Sequence, residues 1–296
     1  MYTRYKNIII LPPCHTYGDC LSVTSMVYFF LDYYEKVFFY INELNVLKYY
    51  ECFFQWDPEL NKRIFLTSNP EKIINNSNFG ECHICNTFTG DWLSNKEDFK
   101  NLEKIDKEFY FNGSNPVFNK IKIPEYYCTN PNLTLPNKST ETNHLFYYKL
   151  LGLNNKVRMD FFNYHRNLEN EKIVKQNILN SFGIGHDQKY NIINDPIGVG
   201  VEVAENNFPT ININFLSTCP GNLLHLIEDA ETLNFIEGSN INFIYHCQYK
   251  NIFKYEKQIN FLVNLRNRKW SQENMNLDWA WKMMDTPRLN NWNFIF

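Results

Sequence analysis

The sequence predicts an α/β protein with two lobes, each built around a parallel sheet, and three features indicate it. Short β-branched apolar runs alternate with helical segments that have one apolar face, which is typical of parallel sheets covered by helices. This alternation weakens over residues 75–140 and restarts near residue 185. The length of 296 residues suits one large domain or two modest ones.

In the first half, periodicity predicts three buried strands and two helices. The strands are Lys6–Leu11, stopped by Pro12 and Pro13, then Lys36–Ile41 and Lys62–Thr67, and the helices are Leu21–Tyr34 and Leu44–Tyr50. Residues 75–140 are rich in asparagine and proline, which favours loop or insertion. Within them we expect only a helix at Glu97–Lys104 and a strand at Lys107–Phe111.

In the second half, helices at Glu141–Leu151 and Leu168–Phe182 end at glycines, which often terminate helices. The later predicted strands are Tyr190–Asn194, Thr210–Phe215 and Thr232–Ile236, and the helices are Asn222–Ala230, Ser239–Gln248 and Asn274–Met284. Four tryptophans, Trp270, Trp279, Trp281 and Trp292, are interpreted as anchors of a terminal helix that packs back across the lobes. The predicted divisions are a first lobe at 1–167, a second lobe at 168–270 and the terminal helix at 271–296.

Composition narrows the function classes. Hydrophobic residues make up 44% and charged residues 21% of the chain, as in globular proteins. A net charge of −3 provides no basic surface for nucleic acid. No apolar run reaches the ~18–20 residues of a membrane span, and the run Ile8–Leu11 is too short for a signal peptide, so we expect a cytoplasmic protein. Cys82 and Cys85 form a CxxC without a second ligand pair, which favours free thiols over a metal or redox site.

The loop after the first predicted strand carries the candidate chemistry. Gly18 allows a tight turn, and Asp19 stands directly before the predicted helix. Asp19 is interpreted either as a general base or as a cap of its own helix, and His15 is a second candidate base. The loop matches neither the GxGxxG nor the GxxxxGK[ST] pattern, which disfavours a dinucleotide fingerprint and a P-loop.

This strand–xHxxGDxL–helix pattern resembles the opening of GT-B glycosyltransferases related to the heptosyltransferases, and of uncharacterised microbial and viral proteins like them. Three further stretches are similar to that group in order and spacing: Phe146–Glu169, Tyr190–Asp195 and Leu224–Ser239. The resemblance implies two Rossmann-like lobes facing a cleft. It also implies inverting, metal-independent transfer of a sugar from a nucleoside-diphosphate sugar to a carbohydrate or other small acceptor. No further cofactor is expected, and the oligomeric state stays open.

The resemblance also implies roles for particular residues. Asp19 would deprotonate the acceptor, with His15 as the second candidate. The donor would contact Gly18, Asn194, Asp195, Ser217, Thr218, Gly221, Glu237, Gly238 and Ser239. The group's usual Asp-Ser-Ser is here Glu237-Gly238-Ser239, and the loop after Asn194 has no Arg or Lys. A cation for the diphosphate would therefore come from Arg158, Arg166 or Lys250, although both arginines could instead form salt bridges between the lobes.

Two other function classes stay open. The first is a non-catalytic sugar-binding, nucleotide-binding or assembly protein on the same scaffold, which the missing loop cations favour. The second is another two-lobed sugar enzyme, such as an epimerase. The acidic residues Glu228, Asp229 and Glu231 are interpreted as a solvated helix face, with contact to a donor ribose as the alternative.

Overall fold

The chain forms two compact units, Met1–Asn163 and Tyr164–Phe296, each with a five-stranded parallel sheet. The computed structural model describes residues 4–12, 17–41, 54–69, 72–73, 82–87, 110–111, 116–117, 120–129, 143–195, 206–216, 218–236, 239–262 and 289–295, with the backbone alone at 17–22, 110, 143–146, 239–240, 262 and 294–295. No helix within these ranges has the length and apolarity needed to cross a membrane. The predicted α/β class with two parallel sheets is confirmed.

The first unit contains β1 to β5 and α1 to α3. The strands are β1 (Tyr5–Leu11), β2 (Tyr34–Tyr40), β3 (Ile64–Thr67), β4 (Cys82–Asn86) and β5 (Tyr110–Phe111), and the helices are α1 (Tyr17–Leu31), α2 (Asn143–Leu150) and α3 (Asn155–Asp160). The sheet order is β3-β2-β1-β4-β5, which matches the first five strands of the doubly wound order 3-2-1-4-5-6. The first three predicted strands are confirmed within two residues, and Gly152, with φ of 73°, lies just past α2 as predicted.

The core of the first unit follows from the apolar spacing of α1. Val23, Met26, Val27 and Phe30 recur every three or four residues, so they share one face of the helix, and all four are fully buried. The hydroxyl of Ser25 donates to the carbonyl of Arg158 at 2.8 Å, which ties α1 to α3. This packing fixes the helix that begins directly after β1.

Strand β4 lies within residues 75–140, at a place where no strand was predicted. It pairs in parallel with the central strand β1. His83 interrupts its apolar pattern, but this ring is 1% exposed and its Nδ1 lies 2.7 Å from the Tyr34 hydroxyl. Because side chains alternate along a strand, Cys82 and Cys85 lie on opposite faces of the sheet and cannot share a metal ion. Both are free thiols, as predicted.

The second unit contains β6 to β10 and α4 to α6. The strands are β6 (Asn191–Asn194), β7 (Thr210–Asn212), β8 (Thr232–Ile236), β9 (Ile259–Leu262) and β10 (Trp292–Ile295), and the helices are α4 (Leu168–Ser181), α5 (Leu224–Glu228) and α6 (Ser239–Tyr249). The sheet order is β10-β9-β8-β6-β7. Counted from its own first strand this order is 2-1-3-4-5, the other common doubly wound arrangement. The predicted helices at 168–182 and 239–248 are confirmed.

Two predictions for the second unit are wrong in part. The strand predicted over Thr210–Phe215 ends at Asn212 and continues as a 3-10 helix, Ile213–Phe215, because the Asn212 side chain accepts the amide of Asn214 and turns the chain. Trp292 was assigned to a terminal helix but lies in β10, paired in parallel with the unpredicted strand β9. Its alternating run Trp-Asn-Phe-Ile suits a strand.

Several predictions lie outside the described residues. These are the helices at Leu44–Tyr50, Glu97–Lys104 and Asn274–Met284, together with Trp270, Trp279 and Trp281.

One face of the second sheet carries a row of hydrogen-bonded amide side chains, which we call the amide row. It consists of Asn191, Thr232, Asn234, Asn260 and Asn293 on four adjacent strands. The Thr232 hydroxyl donates to the Asn191 side chain at 2.8 Å, and Asn260 donates to Asn234 at 2.8 Å. Asn293 donates to Asn260 at 3.2 Å. The polar groups of this face are therefore satisfied by one another along the sheet.

Candidate functional site

The strand order reverses once in each sheet, and these two places define the candidate binding edges. In the first sheet the reversal lies between β1 and β4, and in the second between β6 and β8. Open parallel sheets bind ligands at the carboxyl ends of the strands that flank such a reversal. We therefore place the candidate site at the ends of these strands, and describe each unit by itself.

At the second reversal, Asn194 and Asp195 stand at the end of β6 and are 2% and 3% exposed. The side chain of Asn212, at the end of β7, accepts the Asp195 amide and donates to the Asp195 carbonyl, both at 3.3 Å. This double hydrogen bond fixes the start of the loop. The structure thus brings Asn194 and Asp195 to the edge where the sequence predicted donor contacts.

On the other side of this reversal, strand β8 is followed by the start of helix α6. Strand β8 ends at Ile236 and α6 begins at Ser239, so the unpaired amide groups of the first helical turn lie beside the end of β8. Such amides can hold phosphate. Thr218 lies in the described chain and is partly buried. Ser217, Glu237 and Gly238 lie outside the described residues, as does the Ser239 side chain.

Gly221 has a packing role that the sequence did not indicate. A Cβ at this position would lie 1.9 Å from the Tyr164 hydroxyl and 2.3 Å from its Cζ. Tyr164 is 5% exposed, and its ring packs edge-on against Phe243, so it has no room to move away. The glycine predicted as a donor contact therefore faces a buried tyrosine.

We expect Gly221→Ala to lower the free energy of unfolding by about 1–3 kcal/mol, because the added methyl overlaps a packed ring. Urea unfolding followed by circular dichroism measures this. Gly185→Ala is the matched control, since its new Cβ would meet nothing closer than 3.9 Å. Equal stability of the two variants would contradict the packing role.

At the first reversal, β1 and β4 are held together at their ends. The Leu11 carbonyl accepts the Thr87 amide at 3.2 Å and the Thr87 hydroxyl at 2.7 Å. Helix α1 begins at Tyr17, so Gly18 and Asp19 lie in its first turn, directly beyond the end of β1. Asp19 is the third residue of this helix, and its role at the binding edge stays a prediction. His15 and the side chain of Asp19 lie outside the described part.

Arg166, a candidate phosphate cation, is held by two carboxylates within the second unit. Its Nε donates to Glu171 at 3.0 Å, and Nη1 and Nη2 donate to Glu228 at 2.6 and 2.8 Å. The Glu171 side chain is fully buried, and burial raises its pKa above the ordinary value. Burial also opposes ionisation of Glu228, but hydrogen bonds from Arg166 lower the pKa of that carboxyl overall. The positive charge is thus already matched by two partners.

The other two candidate cations are Arg158 and Lys250. Arg158 belongs to α3 in the first unit and is 3% exposed. Lys250 follows the last residue of α6, and 11 helical residues place it roughly 16 Å along the axis from Ser239. Their roles as phosphate ligands stay predictions, and the distance of Lys250 from the start of α6 does not favour its role.

The acidic residues predicted as a solvated face are ion-paired. Beside Glu228 with Arg166, Asp229 pairs with Lys175, and Glu231 pairs with Lys189 at 3.3 Å and Lys257 at 3.1 Å. Within the ranges that the structure describes, no group of three or more His, Cys, Asp or Glu side chains is placed to hold a metal ion. These carboxylates therefore serve ion pairs that join α4, α5 and the neighbouring turns.

Sequence reasoning missed three residues at the candidate edges. Asn86 and Thr87 were missed together with β4, and Phe215 was placed inside a predicted strand. The signal for Phe215 was present, because an asparagine such as Asn212 often bonds the backbone two residues further on and turns the chain.

Comparison with known proteins finds a structural likeness but no match in sequence. No protein-family model matches this chain, and no curated protein matches it. Among solved structures, it is similar to a glycosyl transferase family 9 protein from Veillonella parvula, with a TM-score of 0.46 and 12% identity. The match covers 89% of this chain and 82% of that one. The candidate site is therefore defined by this chain's own strands and side chains.

Proposed function

We propose that this chain is a glycosyltransferase that moves a sugar from a nucleoside-diphosphate sugar to a hydroxyl of a glycan or small acceptor. The observation that carries the proposal is the position of Asp19, in the first helical turn beyond the reversal strand β1. A carboxylate here would stand where doubly wound sheets bind their ligands. The resemblance of the Gly18-Asp19 loop to GT-B openings supports the same role.

In the proposed reaction, the acceptor oxygen attacks the anomeric carbon while Asp19 takes its proton. The bond from that carbon to the diphosphate oxygen breaks at the same time, and the nucleoside diphosphate leaves with the electron pair. A single displacement of this kind inverts the anomeric configuration. Proton transfer to a base is needed because an alcohol is otherwise a weak nucleophile.

The leaving diphosphate needs hydrogen-bond donors, and the start of α6 would supply them through its free amides. The chain has no DxD-type motif at a strand end, which supports transfer without a divalent cation. In this proposal Asn194 and Asp195 line the donor side of the second unit.

A non-catalytic nucleotide-binding or sugar-binding protein is the second candidate. One observation favours it: Arg166 is neutralised by Glu171 and Glu228, and Lys250 lies at the far end of α6. Weak stabilisation of the leaving group would allow binding without turnover. Acceptor-dependent release of nucleoside diphosphate separates the two candidates, since only a transferase shows it. An epimerase would instead convert the donor without an acceptor.

A thermal-shift screen with UDP-, GDP-, ADP- and dTDP-sugars tests the donor class. A ligand at 100 times its Kd adds about 2.7 kcal/mol to the free energy of unfolding, which raises Tm by about 5 °C or more. We expect one nucleotide type to give such a shift, with free sugars as the control. No shift with any of the four would contradict the proposed function.

A further inference from the structure

The aromatic ring of Phe215 is exposed to solvent at the carboxyl edge of the second sheet. Its side chain is 73% exposed, the largest value among the exposed large apolar residues of the described ranges. It ends the 3-10 helix that follows β7, the strand next to β6. Single exposed apolar residues are common on protein surfaces, so the place of Phe215 at this edge, and not its exposure alone, indicates a role.

The turn that carries Phe215 is held firmly. The Asn212 side chain accepts the Asn214 amide at 3.1 Å and bonds both backbone groups of Asp195. Ile213, two residues before the ring, is 2% exposed and anchors the turn in the core. The ring therefore stands on a support that is hydrogen-bonded to the end of β6.

The position of Phe215 corresponds to the nucleoside side of doubly wound sheets. In the dinucleotide-binding members of these folds, the phosphates lie at the turn after the first strand, and an acidic residue about 20 positions further on contacts the ribose. Here β6 is the first strand and β7 the second, and Asn214 follows Asn194 by 20 residues (214 − 194). Phe215 is next in the chain.

We propose that Phe215 is the platform on which the nucleobase of the donor stacks. This inference rests on the proposed nucleotide-sugar function and names the part of the donor that the second unit holds at β7. Aromatic side chains stack on every base because each has a flat π-face, so the ring contributes affinity without choosing between bases.

The test measures binding of ADP, GDP, UDP, dTDP and inorganic pyrophosphate by calorimetry. Phe215→Ala should weaken the bound nucleoside diphosphates by roughly 5- to 150-fold and leave pyrophosphate unchanged, because pyrophosphate has no base. Phe215→Trp should restore wild-type affinity through its larger flat ring. The matched control is Phe182→Ala, which removes a 47% exposed ring at the carboxyl end of α4, on the approach to β6.

Each outcome decides a separate point. Unchanged nucleotide affinity in Phe215→Ala, or an equal loss in Phe182→Ala, would overturn the stacking platform while the donor proposal stands. A wild-type protein that binds none of the four nucleotides overturns both. Thermal unfolding of every variant shows whether a loss of binding reflects a loss of fold. If the alanine variant is unstable, Phe215→Leu decides the point, because it keeps an apolar side chain without a flat ring and should also bind the nucleotides more weakly.

Discussion

Replacing Arg166 with methionine should lower the free energy of unfolding by about 3–5 kcal/mol at neutral pH. The change leaves Glu171, whose side chain is fully buried, and the half-buried Glu228 facing each other without their cation. Burial already raises the pKa of Glu171 while Arg166 is present. Removal of Arg166 should therefore raise the pKa of both carboxyls further. Urea unfolding at pH 7.5 measures the loss.

The loss of unfolding free energy in Arg166→Met should be smaller at pH 5 than at pH 7.5. In the variant both carboxyls have folded-state pKa values above those of the unfolded chain, so the penalty is absent below the unfolded pKa. It then grows as the pH rises through the folded values. Lys189→Met is the control, because it removes an ion pair whose lysine is 61% exposed and should cost at most about 1 kcal/mol. Equal stability of Arg166→Met and wild type at pH 7.5 would show that the network adds nothing.

Asp19→Asn should reduce sugar transfer by about 10²- to 10⁴-fold, the usual contribution of a general base. The variant keeps the shape of the side chain but cannot take the acceptor proton. Nucleotide affinity should stay at the wild-type value, since the donor is proposed to bind the second unit. Initial rates of acceptor-dependent nucleoside diphosphate release measure the effect.

The control for Asp19→Asn is Asp32→Asn, at the opposite end of the same helix α1 and exposed. A carboxylate in the first turn also stabilises the helix dipole by about 0.3–1 kcal/mol. If Asp19 only interacted with the helix dipole, Asp19→Asn would lose a little stability and keep the wild-type rate of sugar transfer. His15→Ala in parallel assigns the proton to the second candidate if Asp19→Asn turns over normally.

The strands that could be predicted are those that appear in the sequence as a clear apolar run. The Ile8–Leu11 and Val37–Ile41 runs are uninterrupted and apolar, and their strands were predicted within two residues. Strand β4 was missed because His83 resembles a loop residue until the Tyr34 hydroxyl is seen beside it. That partner is 49 residues away, beyond the reach of any local pattern.

In the candidate site, too, features that follow a local pattern could be predicted, and contacts between distant segments could not. Asn194 and Asp195 follow a recognisable strand, so their place at the sheet edge could be predicted from the sequence. The pairing of Arg166 with Glu228 spans 62 residues, and the packing of Tyr164 on Gly221 also joins distant segments. Both depend on how α4 and α5 meet, which the order of residues along one helix does not show.

The amide row also decides how the second sheet assembles. Neighbouring positions on these strands hold Leu233, Phe235, Ile259 and Phe261, which face the other way. A strand that slipped by one residue would set carboxamides against aliphatic and aromatic side chains, losing the bonds on one face and the packing on the other. The asparagines therefore oppose a shift in strand register. They favour one alignment of β6, β8, β9 and β10 while the sheet forms.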